Sequence, residues 1–178
     1  VGDTARLGAI TINSANNVTT NGVRAASFVQ SVGQGATTLN AGTFTDSTTV
    51  ALNTNGETGV SVTTANIALN HALTSGTEAV SLTASGNIAI NGAIQNTNAG
   101  TSAAVINSTA GEVTIGAGGS ISASGRATLF TGTVAGSTGV TALVGAGSGK
   151  FRYNSNSTTA NYTLGLDNTG TFAVYRER

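Results

Sequence analysis

The apolar positions of the chain come in short alternating runs, and between Val60 and Ile121 one such run is written three times. Val60-Ser61-Val62 leads to Ile67-Ala68-Leu69-Asn70 and Leu73; Val80-Ser81-Leu82 leads to Ile88-Ala89-Ile90-Asn91 and Ile94; Val105-Ile106 leads to Val113-Thr114-Ile115 and Ile121. The step is 21 residues from Ile67 to Ile88 and 25 from Ile88 to Val113, the extra ones matching the polar insert Asn96-Thr97-Asn98-Ala99-Gly100. Insertions that leave the flanking pattern intact belong in loops. Alternation of apolar with small polar residues is the two-residue period of a half-buried strand, and the Gly, Asn, Ser and Thr that end each run supply turns. Helix is disfavoured throughout.

A unit of this size holding two or three short strands cannot bury its own apolar side, so it stacks on copies of itself. The expected fold is all-β: a right-handed parallel β-helix of about eight coils over residues 1–148, with an aromatic-rich β capping segment or junction over 149–178. At about 4.8 Å per coil, the rod would be roughly 40 Å long. Equivalent positions then form ladders, and Asn53, Asn70 and Asn91, each closing an "apolar, small, apolar, Asn" phrase, are expected to stack as a structural amide ladder.

Outside the regular section, Leu7 to Ile12 reads as a strand at the open end of the rod. Val23 to Val29, Thr37 to Phe44 and Thr49 to Leu52 read as less regular coils with Phe28 and Phe44 in the core. Arg126 to Val134 and Thr141 to Val144 continue the strand pattern with Phe130 inside. After Gly145-Ala146-Gly147-Ser148-Gly149 the composition shifts: Phe151, Tyr153, Tyr162, Phe172 and Tyr175 are five of the chain's eight aromatic residues. They mark three further strands, Lys150–Tyr153, Asn161–Leu164 and Thr171–Tyr175, and large rings suit a cap over the last coil. An aromatic surface that binds glycan is the alternative for the same residues.

Composition narrows the chemistry. Seven Lys plus Arg balance seven Asp plus Glu, so no basic patch of the kind that holds nucleic acid or an anionic membrane is present, and no apolar run is long enough to insert as a transmembrane helix. The seven acids are scattered; Glu57 and Glu78, one coil apart, are the one pair a coil would bring together, and they read as solvated turn residues rather than the acids of a polysaccharide-cleaving site. No metal or cofactor is expected: His71 is the only histidine, cysteine is absent, and Gly116-Ala117-Gly118-Gly119 lacks the carboxylates of a calcium-binding repeat. Thr43-Phe44-Thr45 and Thr131-Gly132-Thr133 do not recur at one coil spacing, which ranks an ice-binding array low.

The phrases Ser85-Gly86-Asn87-Ile88-Ala89-Ile90-Asn91-Gly92-Ala93-Ile94 and Gly111-Glu112-Val113-Thr114-Ile115-Gly116-Ala117-Gly118-Gly119-Ser120-Ile121 resemble the repeats of filamentous-haemagglutinin-like exoproteins, large bacterial adhesins exported by two-partner secretion. The tail from Gly149 to Arg178 is similar to the segment that in such proteins precedes a run of small all-β domains. The resemblance implies a non-catalytic rod that is secreted to a bacterial surface or biofilm matrix and displays or spaces adhesive regions. Its expected partners are the continuing chain or identical subunits at the rod ends, and host or matrix glycans or proteins along its sides. The alternative from a different class is a subunit that stacks end to end into a fibre by β-augmentation.

Overall fold

The computed structural model describes residues 1–178, of which 46% lie in strands and 3% in helix. Short alternating runs become short strands, taken in chain order as circuits. The first comprises β1 (Leu7–Ile12), β2 (Val18–Asn21) and the start of β3 (Val23–Gln30); the second runs through the rest of β3, β4 (Ala36–Asn40), the hairpin β5 (Gly42–Thr43) and β6 (Thr49–Val50), then β7 (Leu52–Thr54). The third is β8 (Val60–Thr64), β9 (Asn66–Leu69) and β10 (Leu73–Ser75), the fourth β11 (Val80–Ala84), β12 (Ile88–Ile90) and β13 (Ala93–Asn96), and the fifth β14 (Ala104–Ser108), β15 (Val113–Ile115) and β16 (Ser120–Ala123). Then come β17 (Arg126–Thr131), the helix α1 (Val140–Val144), β18 (Phe151–Arg152) and β19 (Gly170–Tyr175).

Equivalent strands pair in parallel into three ladders, compatible with a β-solenoid; the only antiparallel pair is β5 with β6. On the first ladder Val60 pairs with Val80, Val80 with Ala104 and Ala104 with Ala127. On the second, Ile67 pairs with Ile88 and Ile88 with Val113, the positions whose spacing defined the repeat. On the third, Leu52, Leu73, Ile94 and Ile121 follow one another. Eight strands share the first ladder, whereas the second and third have five rungs each, so the expected eight coils correspond to rungs of the first ladder only. The long strand β3 turns a corner, pairing with β7 through Val23 to Ala25 and with β8 through Phe28 to Gln30, and so joins two ladders.

Inward positions of all three ladders meet in one apolar core that includes Phe28, Leu52, Leu69, Leu82, Ile88 and Ile106. Inward residues at strand ends are polar where the chain must turn. Thr64 and Ser108 occupy one register position and donate hydroxyl hydrogen bonds to the carbonyls of Gly35 and Gly86 at 2.9 and 2.8 Å, which pairs backbone groups that a corner would otherwise leave orphaned.

Three expectations need correction. Thr141 to Val144 is helical: the Thr138 carbonyl already takes the Ile115 amide at the edge of β15, and the chain then turns through Gly139 in the left-handed conformation (φ 81°) into one helical turn. Asn161 to Leu164 forms no strand and lies in the connection between β18 and β19. Phe130 is half-buried on the outer side of β17, whose inward residues are Ala127, Leu129 and Thr131.

Candidate functional site

Asparagine stacks line the corners of the ladders. Asn70 donates its amide to Oδ1 of Asn40 at 2.8 Å, Asn91 donates to Oδ1 of Asn70 at 3.0 Å, and Asn40 approaches Oδ1 of Asn21 at 3.4 Å. The next register position is Gly116, where the stack ends. Asn53 is not in this stack: it sits on the third ladder, and its side chain accepts a hydrogen bond from the Arg6 guanidinium, which also donates to the Asn53 carbonyl at 2.8 Å. A second stack, missed in the sequence, occupies the position just before the second-ladder strands. There Oδ1 of Asn17 accepts from the amide of Ala36, Asn66 from that of Asn87 and Asn87 from that of Glu112, at 2.8 to 2.9 Å. Gly86 and Gly111 make room for it, since a Cβ at either would sit 2.4 to 2.5 Å from an asparagine oxygen of the preceding coil. The signal available in the sequence was Asn66-Ile67, Asn87-Ile88 and Glu112-Val113 in register.

Glu112 ends the second stack and starts something else. Its carboxylate accepts hydrogen bonds from the Ser137 hydroxyl at 2.8 Å, the amides of Gly132 and Thr133 at 3.0 Å, and the hydroxyls of Thr133 and Thr131 at 3.1 and 3.2 Å. Burial pushes the carboxyl upward, but the bonds from Ser137, Thr133 and Thr131 together outweigh it and hold the group below the usual glutamate value. One side chain thereby fixes the loop 132–139, which lays the Thr138 carbonyl on the amide of Ile115 at 2.9 Å and leads into α1. Loop and helix cover the far edge of β15, with Val140 and Val144 buried against the core.

The aromatic residues of the C-terminal segment divide into two groups. Phe172, on the outer side of β19, is buried beneath the connection 153–169; Arg152, only 7% exposed, lies 5.7 Å from the ring centres of Phe172 and Tyr162. Its guanidinium has no carboxylate partner and instead donates to the carbonyls of Gly149, Phe151, Leu164 and Gly165 at 2.7 to 2.9 Å. Such bonding is what a buried cation requires, and it staples the connection to β18. Tyr175, fully buried, faces the rings of Tyr153 and Phe151 at centroid distances of 5.5 and 6.3 Å, both nearly parallel. Tyr153 is 46% exposed. Beside these rings a cavity of about 220 Å³ opens among Val134, Thr141, Gly147, Phe151, Tyr153 and Tyr175. Burial pushes the Tyr175 phenol up, so at neutral pH it is a protonated donor.

β19 is the last strand of the chain, yet it lies between β17 and β18, pairing Arg126 through Thr131 with Gly170 through Tyr175. The segment from 149 to 178 therefore extends the first ladder. The outer edges of β1 and β2 at one end of the ladders, and of β16 and β18 at the other, have no partner strand within these residues.

The Glu78 carboxylate receives only the Thr77 hydroxyl, at 3.4 Å; the His71 ring is partly buried beside Asn70, its Nδ1 without a partner; no group of three or more His, Cys, Asp or Glu side chains converges. No helix is long and apolar enough to cross a membrane. No family model, curated protein or solved structure matches the chain.

Proposed function

We propose that this chain is a structural rod segment without catalysis, its coils winding right-handed, as parallel crossovers overwhelmingly do, and that it serves as a spacer or adhesive stalk in a secreted bacterial surface or matrix protein. The observation that carries the proposal is the unbroken run of equivalent positions through three parallel ladders, such as Ile67, Ile88 and Val113. Such a body resists extension because every coil is hydrogen-bonded to its neighbours, and its sides repeat the same small polar residues for many weak contacts. The secreted, adhesive setting rests on the resemblance of Ser85–Ile94 and Gly111–Ile121 to filamentous-haemagglutinin-like repeats.

The open edges of β1 and β2 favour continuation by a further coil, supplied by a longer chain or by another copy. A fibre built of identical subunits would also need a free opposite end, and there β16 and β18 keep open edges while the loop 132–139 and α1 lie across the edge of β15. We therefore rank the self-assembling fibre second. Electron microscopy of the purified chain over a hundredfold range of concentration separates the two. Isolated short rods at every concentration are expected of a spacer; filaments that lengthen with concentration would replace it with the fibre, and compact spheres would remove both.

A further inference from the structure

The cavity beside the last rung of the first ladder has features that the rod does not use. One wall is aromatic, formed by Tyr153 and Phe151, with Tyr175 behind them. Tyr175 also lines this space, and its hydroxyl, wholly buried behind the cavity wall, lacks a hydrogen-bond partner; the Thr141 hydroxyl lies close enough to influence it but not in hydrogen-bonding geometry. A buried donor left unmatched costs free energy unless something entering the cavity accepts from it. Gly147, with φ of 75°, has nothing within 4 Å of where a side chain would begin, so its backbone is bare to the opening. None of the residues that line the cavity is charged.

We propose that this slot binds one ring of a neutral sugar. A pyranose matches it group for group. Its C–H face is weakly positive and packs against the negative face of an aromatic ring, here that of Tyr153, while its hydroxyls accept from Tyr175 and exchange hydrogen bonds with Thr141 and the backbone at Gly147. At about 30 Å³ per water, 220 Å³ is the room of roughly seven waters. An anionic sugar would meet no cation among the lining residues, which is why the ligand is neutral. Affinity for one ring is about millimolar, useful where many rods or many glycan ends act together.

The test is saturation-transfer difference NMR on the intact chain with methyl glucoside, methyl galactoside and N-acetylglucosamine, and with a proline-rich peptide as the competing class. Transfer is expected to the C–H protons of one face of at least one sugar. It should fall at least tenfold in Tyr153→Ala, which removes a half-exposed ring, and severalfold in Tyr175→Phe, which deletes only the hydroxyl. Absence of transfer from all three sugars at about 10 mM, transfer unchanged by Tyr153→Ala, or binding of the peptide in place of the sugars would each overturn the proposal. Should Tyr153→Ala unfold, Tyr175→Phe decides, because it keeps the shape of the wall; an unaltered affinity would then count against the site. A negative result leaves the rod intact, since no ladder depends on an occupied slot.

Discussion

Glu112 illustrates how one residue changes roles within a repeat. Asn66 and Asn87 precede it in the stack and cap the next coil's amide. A carboxylate at the same position reaches further and gathers the donors of the loop 132–139. Because its pKa is lowered on folding, the stabilisation it provides is fully present above the ordinary glutamate value of 4.5 and is lost as pH falls through the lower folded value. The protection factors of the Gly132 and Thr133 amides, taken relative to intrinsic exchange at each pH, should therefore be high at neutral pH and fall on acidification below about 4.5, while amides of β11 and β12 stay protected. In Glu112→Gln the acid-induced change should vanish, and the loop should be loosened by about 2 kcal/mol at neutral pH. Protection at Gly132 that does not respond to pH would show that the carboxylate does not hold the loop.

Among the elements, the regular strands were legible and the exceptions were not, for local and non-local reasons respectively. Ile88-Ala89-Ile90 alternates cleanly and recurs one coil earlier and later, so both its strand state and its inward face follow from the pattern. Val140-Thr141-Ala142-Leu143-Val144 reads as a strand by the same local test, being rich in β-branched residues, and becomes helical because Gly139 and the Glu112-held loop set its direction of entry. Asn53 and Asn70 close the same phrase, yet Asn40 already fills the stack position of that circuit and Asn53 falls in register with Thr74 on the third ladder. Phe130 was misread because Arg126-Ala127-Thr128-Leu129-Phe130 offers apolar residues on both sides of the strand. The position of β19 between β17 and β18 depends on pairing across the connection 153–169, which no local pattern encodes. Nor did the sequence reveal the aromatic slot, since Val134, Thr141 and Tyr175 come together only through that pairing. The two faces predict different costs: Ile88→Ala should lower stability by about 2–5 kcal/mol through a core cavity, and Phe130→Ala by about 1 kcal/mol. Equal costs in denaturant titrations would put both side chains in the same environment and contradict the assigned faces of β12 and β17.

For the whole molecule, a narrow core, sparse charge and the absence of cysteine leave coil stacking to carry the stability. The third and fourth circuits bury one to three apolar side chains per strand and each is held by its neighbours above and below, so register is the property on which the rod stands. Register is also directly measurable, because nine isoleucines are distributed over the ladders. The decisive experiment is a methyl NOESY spectrum of the chain labelled at isoleucine. Stacked coils predict cross-peaks between Ile67 and Ile88, between Ile90 and Ile115, and between Ile94 and Ile121, the partners in the second and third ladders. Their absence, with contacts only between isoleucines near in sequence, would contradict the stacked rod and the function built on it.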